Sequence, residues 1–93
     1  MAAEAYNGWT NRETWCVELW LSNDQPAYLA ATSIVAEAGS PYAAAEALRE
    51  FVDDEFGPAD DDRGTLLGDV WAYALTRVAW REVAAAFAPE DRT

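Results

Sequence analysis

All four prolines of this 93-residue chain stand beside residues that start or stop helices. Proline suits the first turn of a helix, where its missing N–H has no partner to lose, and it disrupts a helix interior or a central strand. Asp24 comes two residues before Pro26, and Ser40 immediately precedes Pro41, so both read as N-caps with a proline in the first turn. Gly57-Pro58 and Ala88-Pro89 read as stops. Between these points apolar residues recur at three- and four-residue intervals, and strand-like alternation is nearly absent. The expected class is therefore all-α: a single domain over residues 1–93, folded as a compact bundle of four or five short helices.

The phase of each segment predicts the side it buries. Residues 1–9 read as an N-terminal arm, with Tyr6 and Trp9 folded back. Thr10 and Glu13 have capping-box spacing and start a helix over about 11–22, with Trp15, Cys16, Leu19 and Trp20 inward. Cys16 is expected there as an inert core thiol. The second helix begins near Pro26, buries Tyr28, Leu29, Thr32 and Val35, and stops at a left-handed Gly39. The third opens at Ser40-Pro41, with Tyr42, Ala45, Leu48, Phe51 and Val52 inward and Glu46, Arg49, Glu50, Asp53 and Asp54 outward. An acidic loop at 57–64 follows, then Thr65 and a fourth helix with Leu66, Leu67, Val70, Trp71, Ala74 and Leu75 in phase. The pattern shifts at Val78-Ala79, and Trp80, Val83 and Phe87 continue it, either as a fifth helix or as a bend in the fourth. Glu90 to Thr93 should fray.

The chain's chemistry is bounded by what it lacks. Its six basic residues are all arginine (Arg12, Arg49, Arg63, Arg77, Arg81, Arg92), and there is no lysine and no histidine. Without imidazole there is no Ser-His or Cys-His pair and no histidine metal ligand; without lysine there is no Schiff base and no P-loop lysine. Neither an enzyme nor a cofactor is expected. A lone Cys16 closes no internal disulfide, which fits a reducing cytoplasm. Residues 1–6 lack a basic leader region, and no apolar run approaches the ~20 residues of a bilayer span, so no signal peptide or membrane segment is expected.

Seventeen Asp and Glu against six Arg give a formal charge of −11. Nine of the carboxylates fall between residues 46 and 69: Glu46, Glu50, Asp53, Asp54, Glu55, Asp60, Asp61, Asp62 and Asp69. Only Arg49 and Arg63 oppose them, which leaves −7 in that quarter of the chain. Like charges at helical spacing cost a helix about a few tenths of a kcal/mol each, and no lysine relieves them. A helix of about 15 residues is roughly 22 Å long, and each strand of duplex DNA carries one charge per about 3.4 Å. Such a row approaches the charge density of a phosphate strand over a few base pairs. The nine carboxylates are the candidate partner-binding residues, and a basic DNA-binding surface is the expected partner. The same charge repels nucleic acid and anionic membranes. Plainer readings are a solvated face that keeps a small protein soluble, the hydration shell of a halophile, or a divalent cation at Asp60–Asp62. The last lacks the alternating ligands and distal Glu of an EF-hand loop, so no metal is expected.

Tyr6 to Trp15 reads Y-N-G-W-T-N-R-E-T-W, and Leu19 to Asp24 reads L-W-L-S-N-D. These segments resemble a family of small acidic proteins encoded by phages, prophages, plasmids and archaeal mobile elements, marked by N-R-E-T-W and then L-W-L-x-N-D. The stretch around Asp69, Leu75, Val78, Trp80, Arg81 and Glu82 is similar to that family's end, except that Ala79 stands where members usually carry a polar cap. The resemblance covers about two thirds of the chain and implies a mobile-element setting rather than a mechanism. In size and charge the chain also looks like the helical acidic DNA mimics that inhibit CRISPR and restriction systems. The expected function is a stoichiometric inhibitor of a host defence complex in the cytoplasm of an infected bacterium or archaeon, a CRISPR effector before a restriction enzyme. The alternative is a small phage structural or regulatory module that binds a protein through its aromatic N-terminal segment, including Trp9 and Arg12. Read physically, Asn11 to Thr14 is a helix start from which Arg12 can pair with a carboxylate on another helix. A small core favours a dimer and self-repulsion opposes one, so the oligomeric state stays open.

Overall fold

A computed structural model describes residues 8–88, and within them the chain is helical with no strand. The helices are α1 (Arg12–Asn23), α2 (Gln25–Glu37), α3 (Pro41–Phe56), α4 (Leu66–Arg77) and α5 (Trp80–Ala86), with a 3-10 turn at Asp60–Asp62. Tyr6, the Pro89 stop and the fraying of Glu90 to Thr93 lie outside the described residues. Among those described, no helix is long and apolar enough to cross a membrane.

Two helix starts follow the local rules read from the sequence. Asp24 Oδ2 accepts the Ala27 N–H at 3.1 Å, and Ser40 Oγ accepts the Ala43 N–H at 3.1 Å. Each cap is followed by a first-turn proline. The start of α1 differs from expectation: Asn11, not Thr10, is the cap, and its Oδ1 accepts the Thr14 N–H at 2.9 Å. Thr10 instead donates its backbone N–H to Glu82 Oε1 on α5, at 3.1 Å. The end of α2 also differs. The chain leaves the helix through an extended Ala38 (φ −73°, ψ 149°), and among the described residues only Gly8 has a positive φ, so Gly39 is not a left-handed stop.

The ambiguity at 78–79 resolves into two helices. Val78 (φ −73°, ψ 132°) and Ala79 (φ −84°, ψ 84°) leave the helical region, and α5 restarts at Trp80. The Trp80 indole N–H donates to the Leu75 carbonyl at 3.0 Å, engaging one of the acceptors that the end of α4 leaves without an intrahelical partner.

The core joins α1, α2, α3 and α5. Leu21, Ala27, Ala31, Leu48, Val52, Val83 and Phe87 are buried together, with Val17, Ile34, Phe51 and Trp80 packed against them. Among the described residues, five of the twelve buried apolar ones are alanines (Ala27, Ala31, Ala44, Ala45, Ala84), whose small side chains let the helices approach closely. This overturns part of the expected inward pattern. On α2 the buried line runs through Ala27 and Ala31, which turns Tyr28 and Leu29 to the surface. On α3, Tyr42 is exposed. Cys16 and Trp20 of α1 are exposed too, so the thiol is not a core residue. None of the four other tryptophans is fully buried.

α4 departs furthest. It lies outside the four-helix core and packs mainly on α1 and on the 3-10 turn. Only Gly68 and Leu75 of α4 are buried, while Leu66, Leu67 and Val70, expected inside, are exposed. Gly68 is where the helix meets the chain that precedes it: a Cβ there would collide with the Arg63 backbone. The first turn of α4 therefore lies directly on the 63–65 segment.

Candidate interaction surface

The acidic segment is organised by one arginine. Arg63, just past the 3-10 turn, donates from Nη1 to Asp53 Oδ1 at 2.8 Å and from Nη2 to the Asp53 carbonyl at 3.3 Å. The guanidinium thus binds a carboxylate and a late α3 carbonyl with one fork. A cation is favoured there because unpaired carbonyls give a helix C-terminus partial negative charge. The Trp71 indole N–H of α4 donates to the same Asp53 Oδ1 at 2.8 Å. Three elements therefore meet on one carboxylate, and those two hydrogen bonds, Arg63 first, hold the Asp53 carboxyl below the usual range of its kind. The Arg63 guanidinium is held more firmly protonated in turn, by Asp53 first and then by the fields of Asp60 and Asp54.

The nine carboxylates divide accordingly. Asp53 is bonded to Arg63, whose charge is also favoured by the fields of Asp60 and Asp54. Glu46 and Glu50 continue the exposed line along α3, and Asp61 and Asp62 are exposed in the turn. Asp53 is a hydrogen-bonded joint rather than a free contact residue. Glu55 leaves the row, because it borders a hollow with Asp24, Pro26 and Phe51 on the α2 side. Asp69 stands on α4 about 160° around the helix from Trp71, and so away from the Asp53 junction. Among the described residues no three carboxylate or thiol ligands converge to hold a metal ion.

Beside the acidic joint runs an apolar groove that the sequence pattern did not single out. Cys16, Val17 and Trp20 of α1 face Val52 and Phe56 of α3 and Trp71 of α4 around a hollow of about 170 Å³. A second hollow of about 290 Å³ continues from Cys16 and Trp71 toward Ala74, Leu75 and Val78, with Arg12 and Glu13 at its edge. Glu13 at that edge has its Oε2 3.6 Å from Arg77 Nε. Spacing alone did not reveal the groove, because its walls come from helices whose inward and outward sides only packing assigns.

The N-terminal motif is occupied within the fold. Asn11 Nδ2 donates to the Arg77 carbonyl at 2.8 Å. The Thr14 hydroxyl donates to Asn11 Oδ1 at 2.7 Å and accepts the Ala79 N–H at 2.9 Å. Asn11, Glu13 and Thr14 thereby fasten the start of α1 to the junction between α4 and α5. Ala79 has no side chain to cap α5, but its own N–H is met by Thr14.

The chain belongs to DUF7249, a family of unknown function, whose model matches residues 2–89. No curated protein and no solved structure matches the chain. In this DUF7249 member Asn11, Glu13 and Thr14 of the N-R-E-T-W segment are thus joints of the fold, whereas the exposed surface offers two other features. One is the carboxylate row of α3 and its adjoining turn; the other is the apolar groove and the outer face of α4.

Proposed function

We propose that this protein is a stoichiometric inhibitor, carried by a phage or other mobile element, that occupies the basic DNA-binding cleft of a host defence complex. A CRISPR effector is the first target class and a restriction enzyme the second. The observation that supports this reading is the Arg63 clamp, which holds the Asp60–Asp62 turn against the end of α3. It lengthens the exposed row Glu46, Glu50, Asp54 without any added basic residue in the turn itself. These carboxylates would receive Arg and Lys side chains that otherwise hold phosphates, with the strongest pairs being bidentate to arginine. Association should be fast and weakened by salt.

The test compares Glu46, Glu50 and Asp54 together changed to Arg with the wild type in capture of a DNA-binding complex from nuclease-treated host lysate. Binding competed by short duplex DNA and weakened by on the order of tenfold or more in the triple variant is expected. Unchanged capture by the triple variant would refute the acidic row as the contact. Asp53 is left out of this test because replacing it opens the Arg63–Trp71 junction.

A second reading, a protein-interaction module, is favoured by the groove, where Trp20 is 63% exposed beside Trp71. Its contact surface would be the groove and not the N-terminal motif, whose Asn11 and Thr14 are engaged internally. Under this reading Trp20→Ala weakens capture more than the triple charge reversal does.

A further inference from the structure

We infer that two copies of the chain associate antiparallel through the outer face of α4, about a twofold axis near Val70 and Tyr73. This goes beyond the inhibitor reading and does not depend on it. At 3.6 residues per turn, the apolar side chains of α4 from Tyr73 round to Leu75 cover about 200° of the helix. The bundle takes only the part holding Trp71, Ala74 and Leu75. Leu66, Leu67, Val70 and Tyr73 remain 79%, 57%, 56% and 64% exposed. A surface helix normally restricts its apolar side chains to the stripe its own domain covers, and a further contiguous face marks an interface. Here the further face is regular: Leu66, Val70, Tyr73 and Arg77 follow at i, i+4, i+7 and i+11, a stripe against which another helix packs.

The charge along α4 identifies that other helix as a second copy. Carboxylates stand at its head, with Asp60, Asp61 and Asp62 before it and Asp69 in its first turn, and Arg77 stands in its last turn. A parallel copy would set like ends together. An antiparallel copy lays Arg77 of each chain across Leu66 of the other. Helical side chains lean toward the helix N-terminus, which carries that guanidinium toward Asp69. Among the described residues the Arg77 guanidinium has one ion pair, the loose 3.6 Å contact with Glu13. The Val70–Tyr73 stripe lies more than 90° around α4 from Trp71, so the pairing does not consume the Asp53 junction.

The area sets the strength. The four exposed side chains leave roughly 400 Å² of apolar surface per copy, so a symmetric pair with its polar rim reaches the small end of specific associations. Each copy also brings a charge of −11. The dimer is therefore weak at low salt and tightens as salt screens the net repulsion. That salt dependence is opposite in sign to capture of a basic cleft.

Sedimentation equilibrium over a concentration series at low and high salt tests the pairing, with helicity followed by circular dichroism. The wild type should pass from monomer to dimer with a dissociation constant on the order of 10–100 µM, tighter at high salt. Tyr73→Glu and, independently, Leu66→Arg should weaken it by about tenfold or more with unchanged helicity, since both side chains are already in solvent in the monomer. Arg77→Glu should weaken it, and Arg77→Glu combined with Asp69→Arg should restore it. A wild type that stays monomeric at high salt, or a dimer indifferent to both Tyr73→Glu and Leu66→Arg, would overturn the interface. Failure of the charge swap to restore pairing would overturn its antiparallel register.

Discussion

Thr14 is the one fully buried polar residue among those described, and replacing it with valine separates two contributions that sequence patterning merges. The substitution keeps the branched shape and removes only the hydroxyl. That hydroxyl donates to Asn11 Oδ1 at 2.7 Å and accepts the Ala79 N–H at 2.9 Å. Asn11 Oδ1 keeps the Thr14 N–H, so the loss on that side is about 1 kcal/mol, a typical net hydrogen bond. Ala79 is different, because its N–H is left without this acceptor in a partly buried position, at about 1–3 kcal/mol. The expected total is about 2–4 kcal/mol, against the roughly 5–14 kcal/mol available to a domain of this length. Thermal midpoints should fall by about 10–30 °C. Thr14→Ser provides the contrast: it retains both hydrogen bonds and loses one buried methyl, at about 1 kcal/mol. Urea and thermal unfolding followed by circular dichroism should rank the wild type above Ser and Ser above Val. A valine variant as stable as the serine variant would refute the claim that this hydroxyl fastens α1 to the α4–α5 junction.

Two further expectations follow from how α4 meets Asp53 and the 63–65 segment. Because hydrogen bonds from Arg63 and then Trp71 depress the Asp53 pKa below its ordinary 3.8, the ionised carboxylate favours the folded state. That contribution is complete above the unfolded value and disappears as pH falls through the depressed folded value. Asp53→Asn should therefore have a lower denaturant midpoint than the wild type at neutral pH, with the gap closing as pH falls through and below the ordinary carboxylate range; a gap independent of pH would contradict this linkage. Gly68→Ala should destabilise by more than about 1 kcal/mol although alanine is the better helix former by about that amount. The added Cβ meets the Arg63 backbone, so the first turn of α4 must lift from the 63–65 segment; a stabilised variant in urea unfolding would show that the segment yields freely.

The proximity of the Asp53 joint and the apolar groove bears on how the surface works. Trp71 belongs to both, with its indole N–H on Asp53 and its ring in the groove wall. Occupation of the groove and the position of the acidic turn therefore share one side chain.

The sequence by itself determined where α2 and α3 begin. Asp24 and Ser40 cap α2 and α3 because a short polar side chain reaches an N–H three residues on, and each proline follows at a place where its own missing N–H costs nothing. Those interactions are local, so their spacing in the chain is enough to read them. What tertiary structure decided depends on distant partners. Asn11 displaced Thr10 as a cap while its amide bonded Arg77, 66 residues away, and Thr10 bonded Glu82, 72 residues away. Asp53 looked like one carboxylate in a repulsive row, and Arg63 and Trp71 made it a joint. The buried face of α2 runs through Ala27 and Ala31 rather than the larger Tyr28 and Leu29, because the small side chains bury little surface individually but permit close helix approach. α4 carries an apolar arc wider than the bundle covers, and no periodicity distinguishes the half that meets α1 from the half left to solvent. Only packing makes that division, because burial depends on what lies opposite a side chain as well as on its own chemistry.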